Sequence, residues 1–145
     1  MRKGLGADDL GDLLEQPLLA VLATHRRDGT VLLSPVWHEW RDNGFNIVTP
    51  CGDGKLAHLR RDPQASIVVC ESVLPYRGLE VRTTARLSKL HDLEIARRIA
   101  ARYIGAEGGD QYAAGAQDDM LIRLEPGDGG LRGWDFADDF APSDK

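Results

Sequence analysis

Leu18-Leu19-Ala20-Val21-Leu22-Ala23-Thr24, then Asp28-Gly29, then Thr30-Val31-Leu32-Leu33-Ser34-Pro35-Val36-Trp37-His38-Glu39-Trp40: two apolar runs flank a pair of residues that turns a chain back on itself. Asp-Gly supplies the positive φ that a two-residue hairpin turn requires, so the runs read as paired antiparallel strands. Pro35 has no N–H to give to a ladder, which predicts that the second strand lies at an edge or carries a bulge there.

Outward from this hairpin the apolar period changes repeatedly. Upstream, Asp8 to Glu15 has a capping Asp and apolar residues at helical spacing, and predicts a short helix ending before Pro17. Downstream, Asp42-Asn43-Gly44 turns the chain into a strand over Phe45–Thr49. Further strands read over Ala65–Glu71, Leu79–Leu87, Met120–Leu124 and Leu131–Phe136. His91 to Tyr103 places Leu93, Ile95, Ala96, Ile99 and Ala100 on one helical face. Gly105 to Asp118, rich in Gly and Ala, predicts a loop that orders on binding. No repeat or linker divides the chain, so one domain is expected over residues 1–145.

Composition excludes several function classes. At 42% hydrophobic and 28% charged residues, this is an ordinary globular chain. Its formal net charge of −5 argues against a nucleic-acid partner. No apolar run is long enough to span a bilayer, and the first residues lack a signal-peptide core; the expectation is a cytoplasmic protein with no membrane partner. Cys51 and Cys70 form no C-x-x-C pair, and His25, His38, His58 and His91 fall on separate elements, so no metal site is expected. Ser34 lacks a nucleophile-elbow frame, and Asp118-Asp119 and Asp138-Asp139 read as solvated acidic pairs.

The stretch most suggestive of function is Thr49-Pro50-Cys51-Gly52-Asp53-Gly54-Lys55-Leu56-Ala57-His58-Leu59-Arg60-Arg61-Asp62-Pro63. It reads as a strand end, a glycine-containing turn and a short helix opening on a lysine. Free amides, the positive end of a helix dipole and one ammonium together favour a phosphate.

Helix, hairpin, third strand, Gly-Lys loop and helix, two strands, a longer helix and a two-strand finish resembles the flavin-binding split barrel of the pyridoxamine 5′-phosphate oxidase superfamily. The likeness covers about residues 7 to 137 and rests on Leu22-Ala23-Thr24, Ser34-Pro35-Val36-Trp37, Thr49 with Lys55 and Leu59, Arg61-Asp62-Pro63, Tyr76-Arg77, Leu79-Glu80-Val81 and Gly133-Trp134. In detail it looks most like the actinobacterial branch that uses the deazaflavin coenzyme F420.

The resemblance implies a mainly β split barrel of six to seven mostly antiparallel strands with a few helices. It also implies a homodimer with a cofactor groove along the interface. By position, Lys55 would bind the cofactor phosphate and Thr49 would add a hydroxyl bond. Ser34, Pro35, Val36, Ile47 and Val48 would line the ring, and Leu56 joins this cofactor-binding set. Tyr76 and Arg77 would close over an anionic part of cofactor or substrate, and Trp134 would reach the partner's groove. The implied activity is hydride transfer between F420 and a small conjugated acceptor. The alternatives are an FMN enzyme of the same fold and a non-catalytic flavin- or haem-binding carrier. Two departures stand out. Asp53 puts negative charge beside the phosphate position, where repulsion is expected. The end of the chain about ten residues past Trp134, with no terminal arginine, disfavours pyridoxamine phosphate as substrate.

Overall fold

A computed structural model describes residues 1–140. Its strands are β1 (Arg2–Leu5), β2 (Ala20–His25), β3 (Val31–Val36), β4 (Glu39–Trp40), β5 (Phe45–Thr49), β6 (Gln64–Cys70), β7 (Gly78–Thr84), β8 (Arg86–Lys89), β9 (Met120–Leu124) and β10 (Leu131–Asp135). Two α-helices accompany them, α1 (Gly54–Arg61) and α2 (Leu93–Ala114). One sheet has the order β1-β10-β7-β6-β2-β3 and the other β4-β5-β9-β8, and all described pairings are antiparallel.

Alternation along each strand builds the core. In β2, Ala20, Leu22 and Thr24 are buried while their neighbours are half-buried. Register carries that pattern sideways: Leu22 faces Ile67, Ile67 faces Val81, and Val81 faces Leu131. The second sheet answers with Phe45 opposite Leu124 and Ile122 between Ile47 and Leu87. These residues form one apolar cluster, plugged by Leu56 and Leu59 of α1 and by Leu10 and Leu13 near the N-terminus.

The strands expected over Thr30–Trp40 and Leu79–Leu87 are each broken where the chain passes between sheets. After β3, Trp37 and His38 carry it to β4; after β7, Ala85 donates its N–H to Pro63 O (2.8 Å) and the chain enters β8. These crossings split the barrel. Pro35 lies on β3, the edge strand, where its missing donor costs nothing. A further strand, β1, pairs with β10.

Two local expectations are corrected. In place of one helix over Asp8–Glu15, there are two 3-10 turns, Ala7–Asp9 and Leu13–Glu15, separated by Gly11 at φ 58°. In place of a loop over Gly105–Asp118, the chain is helical to Ala114. Gly105, at φ 82° and ψ 174°, interrupts the helix and redirects it. The second half then lies so close to the first that a Cβ on buried Gly109 would sit 2.8 Å from Arg97 O. The glycines there serve close packing.

The first half of α2 is fastened by polar groups. Arg98 grips Glu39 with two bonds (Nε 3.0 Å, Nη2 2.9 Å), and Asn46 Nδ2 donates to the same carboxylate at 2.8 Å. Arg102 donates to the carbonyls of His38, Leu14 and Gln16. Tyr103 Oη donates to Leu18 O (2.8 Å), accepts from the His38 amide (3.2 Å) and lies 3.2 Å from His38 Nδ1.

His38 is fully buried, and its Nε2 has no partner among the described residues. Burial, with Arg102 adding to the effect, pulls the imidazole down to about 4. The unfolded chain therefore takes up a proton near pH 6.5 that the folded chain refuses until about 4. The contribution of His38 to stability should therefore be fully present above pH 6.5 and be lost as the pH falls toward 4, by about 3 kcal/mol. Urea unfolding of the wild type and His38→Gln across that window should show the slope in the wild type and its loss in the variant.

Candidate functional site

The turn into α1 is organised by one carboxylate. Asp53 is the N-cap: its Oδ1 accepts the Lys55 amide at 3.0 Å, satisfying one of the free donors at the helix start. Its Oδ2 accepts the Lys55 ammonium at 2.6 Å and the Thr49 hydroxyl at 2.9 Å. Burial pushes the Asp53 carboxyl up, but the bonds from Lys55 and Thr49 outweigh it and hold the group below the usual carboxylate range. It is ionised at neutral pH. Lys55 and Thr49, the two residues that the sequence assigns to a cofactor phosphate, are thus both bonded to an anion the chain supplies.

Beside this turn lies a groove of about 300 Å³. It is lined by Pro35, Val36 and Trp37 on and just after β3, by Ile47, Val48 and Thr49 of β5, by Lys55 at the start of α1 and by Tyr112 of α2. β3, which supplies Pro35 and Val36 to this lining, is an edge strand of its sheet. Trp37 stacks on Tyr103 (centroids 5.0 Å, planes 5° apart) and meets Tyr112 at 5.8 Å, so the aromatic wall is backed by both halves of α2. Burial raises the Tyr112 phenol, and Asp119 adds to the rise, keeping it neutral. An apolar slot with aromatic flanks suits a planar heterocycle; the polar end, already neutralised by Asp53, does not suit a dianionic phosphate.

The structure thus brings together Thr49, Pro35, Val36, Ile47, Val48 and Lys55. The other residues singled out lie elsewhere. Ser34 is half-buried on β3 opposite Leu22, outside the groove lining. Leu56 is fully buried under α1. Tyr76, Arg77 and Trp134 gather at the far end of the six-stranded sheet, where Trp134 pairs with Gly78 and its indole fills the space a Cβ on Gly78 would need. Arg77 is bound to its own chain: Nε and Nη2 fork onto Glu71 (2.8 and 2.7 Å), Nη1 donates to Leu10 O (2.8 Å), and Nη2 reaches Asp12 (2.8 Å).

Tyr112 is the residue the sequence does not point to. It falls in the glycine-rich stretch whose helical period is masked by Gly105, Gly108 and Gly109. A larger cavity of about 550 Å³ is lined by Leu14, Glu39, Trp40, Arg97, Arg98 and Arg102 among others. Of its charged residues, Glu39, Arg97 and Arg98 are held in ion pairs and Arg102 donates to backbone carbonyls, while Glu15 and Arg41 have no ion pair among the described residues. Among the described residues, no group of His, Cys, Asp and Glu is arranged to hold a metal, and no helix is long and apolar enough to cross a membrane.

The family described as pyridoxamine 5′-phosphate oxidase matches residues 7–132. Among solved structures, the chain is similar to a conserved hypothetical protein from Mycobacterium tuberculosis (21% identity, TM-score 0.76, covering 97% of this chain and 91% of that one). It is also similar to an F420 reductase (27% identity, TM-score 0.60, 80% and 91% covered). A third is HutZ, the haem storage protein of Vibrio cholerae (19% identity, TM-score 0.67, 86% and 92% covered). The first and third likenesses speak to the fold alone. No curated protein matches the chain.

Because Arg77 neutralises a Glu71 that is only 4% exposed, its removal strands a buried charge. Arg77→Ala should lower stability by about 3 kcal/mol, the cost of breaking such a pair, while leaving the affinity for FMN or F420 unchanged. Urea denaturation and ligand titration of the same variant check the two halves.

Proposed function

Because the chain belongs to the pyridoxamine 5′-phosphate oxidase family, we propose that it binds a deazaflavin, coenzyme F420, in the groove between β3 and β5 and passes hydride between it and a small conjugated acceptor. The observation that carries this reading is the slot itself: edge-strand backbone beside Pro35, apolar walls from Val36, Ile47 and Val48, and aromatic flanks from Trp37 and Tyr112. The likeness to an F420 reductase supports the deazaflavin over FMN, which is the alternative cofactor.

When bound, the cofactor supplies the hydride. The chain's part is to bind and orient. Val36, Ile47 and Val48 exclude water from one face of a ring, and the unpaired side of β3 offers backbone groups to its polar edge. Lys55 and Tyr112 are the titratable side chains lining the slot, which fits chemistry needing orientation more than proton transfer.

Assembly as a homodimer belongs to the same reading. Leu33 (64% exposed), Leu19 (55%) and Val31 (44%) stand open on and beside edge strand β3. Ala23 of β2 lies opposite Leu33 and Val21 opposite Pro35, which extends the apolar face. An apolar, edge-terminated face of this kind suits a second copy. Trp134 lies on β10, four strands from β3 and so about 19 Å away at the usual strand spacing; it contributes to a groove only across such a dimer.

The opposing reading is a non-catalytic carrier of a flavin or haem, favoured by the Lys55 charge being already neutralised. Titration with F420, followed by fluorescence quenching, and an anaerobic assay of reduced F420 with a panel of enones and nitroaromatics separate the two. Saturable binding with turnover is expected; binding without turnover on any acceptor would transfer the protein to the carrier class, and absence of binding by both F420 and FMN would overturn the reading. Leu33→Asp should convert a dimer to a monomer by light scattering and weaken F420 binding at least tenfold.

A further inference from the structure

Lys55 lines the groove, and its charge is met by Asp53, which acts through Lys55 and is not itself among the lining residues. The Lys55 amide, the Lys55 ammonium and the Thr49 hydroxyl converge within 3.0 Å of the Asp53 carboxylate, the arrangement in which a loop-and-helix start holds a phosphate. The ammonium is well shielded, its side chain 11% exposed, so it has little freedom to swing toward a second anion. The pair sums to zero charge. A phosphomonoester, close to dianionic at neutral pH, would have to displace Asp53 from all three donors and then lie beside it.

We propose that Asp53 is a specificity-determining residue that turns the groove against dianionic phosphomonoester tails and toward ring ligands whose tail presents a neutral or singly charged group at this end. Hydroxyls of a polyol tail share donors with a carboxylate, since each hydroxyl both donates and accepts, whereas a phosphate dianion only accepts. A phosphodiester, with one charge, meets half the repulsion of the monoester. The aromatic and apolar walls are untouched by this choice: Pro35, Val36, Ile47 and Val48 take the ring whatever its tail carries. Arg60, exposed on α1, and Arg61, whose guanidinium donates to His25 O at 2.6 Å, do not line the groove and supply no replacement charge there.

The inference rests on the proposed ring-binding function, and riboflavin against FMN tests it, because the two share a ring and differ by the phosphomonoester. Fluorescence titration of the wild type should give riboflavin an affinity equal to or greater than that of FMN. Asp53→Asn, which keeps a helix N-cap while removing the charge, should favour FMN over riboflavin by tenfold or more, and the gain should shrink as salt rises. Asp53→Ser, a second capping residue, should reproduce the reversal independently of the amide. A wild type that binds FMN ten times more tightly than riboflavin would overturn the inference and leave the ring-binding function standing. Failure of riboflavin, FMN and F420 alike to bind would overturn both.

Discussion

The Asp53 carboxylate joins the end of β5 to the start of α1, and the groove takes its shape from that junction. By accepting the Thr49 hydroxyl it pins the last residue of a strand; by accepting the Lys55 amide it fixes the first turn of a helix. The helix in turn drives Leu56 and Leu59 into the apolar cluster between the sheets. A single short side chain therefore sets where the polar end of the groove lies and what charge it carries. Capping and ligand selection are here two effects of one anion, because the donors exposed at a helix start are the ones a phosphate would seek.

The rest of the groove depends on α2 returning upon itself. Arg98, Arg102 and Tyr103 fasten its first half to Glu39, to the carbonyls near Leu14–Leu18 and to His38. Gly105 redirects the chain, and Gly109 lets the second half lie against the first closely enough to bring Tyr112 to Trp37. The aromatic flank is built by long-range packing on a polar scaffold. That scaffold also explains how fully buried His38 is tolerated: it is held neutral between Tyr103 and Phe45.

Much of the architecture was legible from periodicity. Asp28-Gly29 marks the hairpin, although its connection is five residues, 26–30, in place of the expected two-residue turn, and only Gly29 takes a positive φ (87°); Pro35 marks an edge, and alternation in Leu79–Leu87 marks a strand with one face covered. Breaks between sheets were not legible, because Ala85 and Trp37-His38 carry no punctuating residue; the crossings are imposed by pairing with distant strands. Nor was the second half of α2, since glycine's low helix propensity says loop while its lack of a side chain is what the close approach needs. Within the site, Thr49, Lys55, Pro35, Val36, Ile47 and Val48 converge, but the sign of Asp53 is subtler than simple repulsion: it binds the lysine first. Arg77 shows the opposite limit, a guanidinium that sequence offers to a ligand and tertiary structure gives to Glu71.

Amide chemical shifts of isotopically labelled protein, recorded during titration with F420, test the central claim most directly. The account predicts perturbations concentrated at Val36, Trp37, Ile47, Val48, Thr49, Lys55 and Tyr112, the amides surrounding the groove. Perturbations concentrated instead around Leu14, Trp40 and Arg98, at the larger cavity, would contradict it.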